Sequence, residues 1–333
     1  MKPVISIIIV NYRSAHLLAN CLNSIARQPF KIPFEVLVID NSPGQDDAAS
    51  VVAGFPWATY VANAANEGFA RANNIGISKA AGELLLLLNA DTIIEDNAID
   101  ACATLLQKDA QAVAAGIQLQ YADGSPQISG SHNLPGALNF LMTIPYIGRV
   151  LRALGLALAV KKPSIERAVR TEEVDWINGA FLMVKKSAVE KAGPLDADFF
   201  LYHEESEWCG RLQRFGKLYL FGHLTSIHLE GGSSSQFYQS ATQAYTQLSD
   251  RKGRQLLLSM WLRIGKQFGR GWLLVHVEAH LFSIPVVLLC ALLQLAVGQR
   301  NSWQQATGYI GNVFRCLAWV PAMLARRHQL YKI

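Results

Sequence analysis

Three places in this chain hold acids where chemistry could be done. Asp91 follows five consecutive leucines (84–88) and Asn89. Asp40 closes the apolar run Phe34-Glu-Val-Leu-Val-Ile, and Glu204, Glu205 and Glu207 stand within one helical turn of each other. A carboxylate at a strand end is a hard oxygen ligand, suited to a divalent cation that also holds substrate phosphates. Three clustered acids, once buried, titrate as a coupled group, and one is raised toward the range of a general base. Each has a plainer reading. Asp91 could cap a following helix, and the glutamates could form a solvated helix start favoured by the dipole, with Arg211 and Arg214 at helical spacing.

The elements that must hold these acids are legible around them. Five leucines without alternation fit a strand buried on both faces. Ser6–Tyr12 is a second apolar strand ending in Asn11 and Tyr12, and 34–40 is a third. Helical patterns at 15–27 and 46–53 alternate with them, which predicts a parallel sheet of βα units. In such sheets ligands bind beyond the carboxyl ends of the strands, where Asn11, Asp40 and Asp91 fall. A fourth segment, 66–77, begins as a Gly-containing turn and continues as a helix, so that Asn66, Arg71 and Asn74 could face a nucleotide. Neither a G-x-G-x-x-G loop nor a Walker pattern is present.

Six segments in order carry a resemblance. They are Ser6-Ile-Ile-Ile-Val-Asn-Tyr12, Val38-Ile-Asp-Asn-Ser42, Asn66-Glu-Gly-Phe-Ala-Arg-Ala-Asn-Asn-Ile-Gly-Ile77, Leu87-Leu-Asn-Ala-Asp-Thr92, Val174-Asp-Trp-Ile-Asn-Gly-Ala180 and the stretch from Asp198 to Leu212. Together they resemble the family 2 inverting glycosyltransferases, and among them bacterial rhamnosyltransferases, as far as about residue 235. The resemblance implies an α/β GT-A fold with a mostly parallel nucleotide-binding sheet and a divalent metal, Mg²⁺ or Mn²⁺. It implies Asp91 as a metal ligand, in the place of the last acid of an Asp-x-Asp motif, with Asn89 where the first acid would be. His228, in Ser226-Ile-His-Leu-Glu-Gly-Gly-Ser233, matches the family's later metal-binding histidine.

The same resemblance makes Glu205 the general base, with Glu204 or Glu207 in support. Family members usually carry aspartate at 205, and a displacement of about 1 Å matters in catalysis. Asp40 matches the residue accepting from N3–H of uracil or thymine, with Asn11 and Tyr12 beside the base. Arg71 is expected at the pyrophosphate, because guanidinium pairs with phosphate oxygens. Gly179 allows close backbone approach near sugar and acceptor, with Ala180 beside it and Trp176 as an apolar wall or a core residue. The implied reaction moves a deoxysugar such as L-rhamnose from a dTDP donor to a lipid-linked or polysaccharide acceptor. A UDP-hexose donor is a second reading. A non-catalytic membrane-associated binding protein is a third, favoured by Asn89 and by Glu205.

The 333 residues predict a catalytic domain over 1–240 and a basic, apolar helical region over 241–333. Five scattered cysteines without a C-x-x-C pair suit a reducing cytosol. The first apolar stretch is too short for a secretory signal. Residues 251–333 hold eleven Lys/Arg against one acid, Glu278, in a chain of net charge +5. Residues 251–270 read as a basic amphipathic helix for an anionic bilayer, with Leu256, Leu257, Trp261, Leu262 and Ile264 apolar. The following stretch, 281–297, is short of the about 20 residues a span needs, and 306–325 contains Arg315 and Pro321. Helices in or dipping into the inner leaflet are therefore expected, with a homo-oligomer interface as the alternative. Nucleic acid is disfavoured by the apolar stretch. The apolar segment 133–160 lies where the family places acceptor-binding insertions. The expected location is the cytoplasmic face of the inner (plasma) membrane, peripheral or monotopic.

Overall fold

The computed structural model describes residues 2–133, 135–158, 163–229 and 248–333. The chain forms two compact units. One comprises Met1–His132, Ser164–Phe200 and Glu204–Ser233; the other comprises Asn133–Pro163, Leu201–His203 and Ser234–Ile333.

The first unit is built on one large sheet. Strands β1 (Ile5–Asn11), β2 (Phe34–Asp40), β3 (Ala58–Ala62) and β4 (Leu84–Asn89) lie in the order β3-β2-β1-β4, all parallel. Every leucine from Leu84 to Leu88 is buried, as expected for a strand covered on both faces. Each such side chain contributes roughly 1.5–3 kcal/mol of burial. Next come β5 (Thr92–Ile94) and β6 (Ala112–Gln120), then four short strands: β7 (Gly130–Ser131), β8 (Ser164–Ile165), β9 (Thr171–Val174) and β10 (Trp176–Ile177). The last are β11 (Phe181–Lys185) and β12 (Lys217–His228). β11 enters antiparallel between β4 and β6, and β12 runs parallel to β6 and antiparallel to β5 and β9. The parallel character is thus confined to the first four strands and the β6–β12 pair. β7, β8 and β10 form a small separate sheet. The α/β GT-A class read from the sequence is the class of this structure.

The second unit is helical. The Arg251–Gln267 helix forms as the sequence predicts, capped by the Asp250 carboxylate, which accepts from the Gly253 N–H at 2.7 Å. It is not the surface amphipathic helix expected. Leu256 through Ile264 are all buried, and Lys252 and Arg263 are buried with them. The reason lies in its partners. The Arg263 guanidinium donates to Asn133 Oδ1 and Gln267 Oε1, and lies 5.2 Å from the Phe140 ring. Gln255 donates to Tyr331 O and accepts from the Ile333 N–H, clasping the C-terminal residues. Arg263 satisfies polar groups inside the unit instead of meeting phosphate outside it. Beside Arg263, burial and the guanidinium push the His203 imidazole down to about 3.

Residues 281–297 belong to a longer continuous helix, Arg270–Ala296, which contains Pro285. It is the one helix among the described residues that is long and apolar enough to cross a membrane. The stretch 306–325 is divided between two helices, Arg300–Leu317 and Val320–Leu324. Within this unit, residues 133–158 pack along the Arg270–Ala296 helix: Gly136 O accepts from His276 Nε2 at 3.0 Å, and Tyr146 OH donates to Gln294 Oε1 at 2.8 Å.

Candidate active site

Strand pairing in the first unit assembles residues that lie far apart in sequence. The β5–β12 register sets Thr92 opposite His228, and the Leu229 N–H donates to Asp91 O, so Asp91 and His228 meet at one sheet end. His228 Nε2 is 3.3 Å from Asp91 Oδ1 and 3.3 Å from Asn89 Nδ2. Both members of the Asp91–His228 pair are largely buried.

The orientation of this imidazole is fixed by a residue that sequence reasoning missed. Gln127 Nε2 donates to the His228 carbonyl at 2.6 Å, which turns its Oε1 toward His228 Nδ1 at 2.9 Å. Nδ1 therefore carries the hydrogen, and the Nε2 lone pair points to Asn89 and Asp91. Nε2 accepts from the Asn89 amide, and with the Asp91 carboxylate oxygen beside it forms a pair of potential cation ligands. Adjacent ligands of a small octahedral cation at about 2.1 Å lie about 3 Å apart. The donor set of one carboxylate oxygen and one oriented imidazole fits such an ion, with Gln127 as the outer partner that metal-binding histidines use. Among the described residues no group of three or more His, Cys, Asp or Glu could hold a metal. Substrate oxygens and water would complete the coordination.

The base candidates stand at the start of the Glu204–Leu212 helix. Trp176 Nε1–H donates to Glu205 Oε1 at 3.0 Å. A Cβ on Gly179 would lie 3.4 Å from Glu205 Cγ, so the absence of a side chain lets the carboxylate arm lie against that backbone. The β11–β4 pairing then connects this group with the other: Ala180 O accepts from the Asn89 N–H at 3.1 Å and from Thr92 Oγ1 at 3.3 Å. Trp176, expected as an apolar wall or a core residue, supplies a donor to Glu205. Glu204 is buried, one of its oxygens has no partner, and burial followed by the charge of Glu205 raises it well above the usual carboxylate range. Glu207 is held by Arg211 through paired bonds of 2.8–3.0 Å. Of the three, Glu205 is the one that accepts the Trp176 N–H and lies against Gly179, while Glu207 is paired with Arg211.

Asp40 is almost wholly buried at the end of β2. Its Oδ1 accepts from Asn11 Nδ2 and from the Ser42 N–H and hydroxyl, and its Oδ2 accepts from Tyr60 OH at 2.6 Å. A carboxylate oxygen has about two lone-pair sites, so Oδ2 keeps one for a ligand donor. Asn11 Nδ2 also reaches Asp46 at 3.1 Å. Tyr12 carries the Arg13 guanidinium over its ring at 5.4 Å. Asp46 and Tyr60 were not singled out from the sequence, although an acid six positions beyond Asp40 was a usable signal.

Three expected donor residues have structural partners. Arg71 gives Nε to Ala197 O at 2.9 Å and pairs with Glu67 at 3.5 Å. Asn74 exchanges two bonds with the Leu195 backbone. Asn66 Oδ1 accepts from the Gly68 N–H, forming the turn that opens the Phe69–Lys79 helix. Arg71, expected at a pyrophosphate, thus ties its helix to the Ala197 loop through Nε and leaves its guanidinium partly exposed. The segment 230–233 that follows His228 lies outside the described residues.

Known proteins resemble this chain in sequence and in fold. Residues 6–167 match the model of glycosyl transferase family 2. The chain is 29% identical over 223 residues to the low-salt glycan biosynthesis hexosyltransferase Agl10 of Haloferax volcanii, covering 64% of this chain and 63% of that relative. It is 25% identical over 232 residues to an N-acetylglucosaminyl-diphospho-decaprenol L-rhamnosyltransferase of Mycobacterium tuberculosis, covering 66% and 74%. The chain thus spans somewhat less than two thirds of the Haloferax relative. In fold it is similar to the mannosyltransferase PcManGT of Pyrobaculum calidifontis, solved with GDP-Man and Mn²⁺, with a TM-score of 0.52 and 14% identity over 96% of this chain and 88% of that one. The matched segment, residues 6–167, is thus a glycosyl transferase family 2 segment making up just under half of this chain.

Proposed function

We infer that the chain is an inverting glycosyltransferase that uses a nucleoside diphosphate sugar in glycan synthesis. The observation that carries this reading is the Glu205 carboxylate, fixed by the Trp176 N–H and lying against Gly179, one peptide from the carbonyl that holds Asn89 beside the Asp91–His228 pair. In the reaction, Glu205 takes the proton of an acceptor hydroxyl. That oxygen attacks the anomeric carbon from the face opposite the leaving group. The carbon–oxygen bond to the nucleoside diphosphate breaks, and the configuration inverts. Asp91 and His228 would hold a divalent cation, Mg²⁺ or Mn²⁺, which when bound supplies Lewis-acid neutralisation of the departing diphosphate. Asp40, positioned by Asn11, Ser42 and Tyr60, receives the N3–H shared by uracil and thymine.

The donor is read as dTDP-linked and the sugar as L-rhamnose, supported by the order of motifs and by the mycobacterial relative's name. The Haloferax relative, named a hexosyltransferase, favours a UDP-hexose as the second reading. The acceptor is lipid-linked or polysaccharide, and the site of action is the cytoplasmic membrane face.

The test is thermal unfolding with dTDP, UDP, GDP and ADP, each with and without Mn²⁺. Ligand at about 100 times its Kd stabilises the fold by about 2.7 kcal/mol. A Mn²⁺-dependent shift with dTDP or UDP, lost in His228→Ala, supports the reading, and the larger shift names the base. No shift in folded protein would favour a non-catalytic role.

A further inference from the structure

We propose that the Arg270–Ala296 helix seats the chain on an anionic bilayer by lying along it with one face immersed, without crossing it. This extends the membrane part of the reading above but rests on the second unit alone.

The helix is apolar on its outward face and keeps its histidines on the buried one. Its buried face carries His276, His280 and Ser283, whose polar atoms bond to Gly136 O and Tyr309 OH at 2.9–3.0 Å. Its outward face carries Phe282, Val286, Leu289, Leu292, Leu293 and Val297, between 40% and 76% exposed. A helix at a water surface turns its apolar stripe inward. This one buries Leu273, Val277, Val287 and Ala291 together with its two histidines and serine, and still turns a second apolar stripe outward, which fits an apolar medium outside.

Length decides between lying and crossing. The exposed acid Glu278 interrupts the apolar face, with only Leu274 and Val275 exposed beyond it, and Gly298-Gln299 ends it on the other side. From 282 to 297 the face is about 24 Å long at 1.5 Å per residue, short of the about 30 Å hydrocarbon core. Crossing would also draw Glu278 into the bilayer, at a high cost. Lying flat leaves it at the headgroups.

Charge selects the occupant. Lys252 and Arg263 are buried, but Arg251, Arg270, Arg315, Arg326, Arg327 and Lys332 are exposed against the one acid of residues 251–333, and the Ile147–Ala157 helix of the same unit exposes Arg149 and Arg152 beside Val150 and Leu154. Two copies meeting through this face would bring like charges together. Anionic headgroups are complementary to it, and such attraction adds to apolar immersion.

The experiment is flotation of the full chain with phosphatidylcholine vesicles, with and without phosphatidylglycerol. Cys290 carries an environment-sensitive fluorophore, since the other four thiols are buried. We expect flotation and a blue shift with anionic vesicles. Binding should fall at least about tenfold without phosphatidylglycerol, or in the Phe282→Ser, Leu289→Ser, Leu293→Ser variant. That variant should keep its nucleotide-dependent thermal shift, which shows the first unit folded and separates this proposal from the enzymatic one. Absence of flotation by folded wild type overturns the proposal. So does a lipid-free dimer that the triple variant dissociates, which would make a second copy the occupant. Modification of Val297→Cys by an impermeant reagent sealed inside the vesicles would establish crossing, and overturn it too.

Discussion

A single indole N–H decides how Glu205 is presented. Glu205→Gln should lower transfer by about 10²–10⁴-fold with donor binding retained, the range expected for loss of a general base. Trp176→Phe keeps the ring but removes a hydrogen bond to a charged acceptor, which is worth about 1.5–3 kcal/mol. We expect kcat to fall at least about tenfold at nearly constant donor KM, with an altered pH profile, in steady-state assays. Glu204 permits a test of sign. Burial holds it protonated in the fold, so as pH rises above the ordinary value of 4.5 the unfolded chain releases its proton first. Wild-type stability should therefore decline relative to Glu204→Gln between pH 4.5 and neutrality, whatever the constant offset between the two. A flat difference in denaturant melts would show the acid is not held neutral. Of the site, Asp40, Asp91 and Glu205 were legible because each follows an apolar run or stands in an acid cluster. Gln127 was not, since its partner His228 is 101 positions away and no local pattern marks the pair.

Elements bring these residues together, and glycine governs one of the junctions. Gly68 has φ +82°, and a Cβ there would fall 2.3 Å from Phe200 O, which also accepts from the Phe69 N–H. Gly68→Ala should cost several kcal/mol, on the order of the largest single-residue effects, read as a lowered unfolding midpoint. The strands β1, β2 and β4 were readable because burial on both faces gives unbroken apolar runs. The antiparallel course of β11 was not, because Phe181–Lys185 reads as a buried strand in either direction and only its partners set the sense. The Arg251–Gln267 helix shows the opposite failure. Basic and apolar residues at helical spacing suggested a lipid surface, yet Asn133, Phe140 and Gln267 engage Arg263 within the unit. Composition cannot tell a cation bound by protein from one awaiting phosphate.

For the molecule as a whole, the cysteines give a simple check on burial. Cys21, Cys102, Cys209 and Cys316 are buried, and burial pushes Cys316 up to about 12 and raises Cys21 and Cys102 further. Native protein should show one fast-reacting thiol, Cys290, and five in denaturant; more than one in the native state would contradict this packing. The β5–β12 pairing has a consequence for biosynthesis. A chain made from its N-terminus at about 5–20 residues per second can complete β1 to β4, with Asp40 in place, well before β12 exists. His228 ends that strand, so the cation pair stays unfinished until the final sheet strand has left the ribosome and closed against β5. On the function proposed above, such a nascent chain would hold the base-recognising carboxylate before it could use a donor, and competence would arrive with β12.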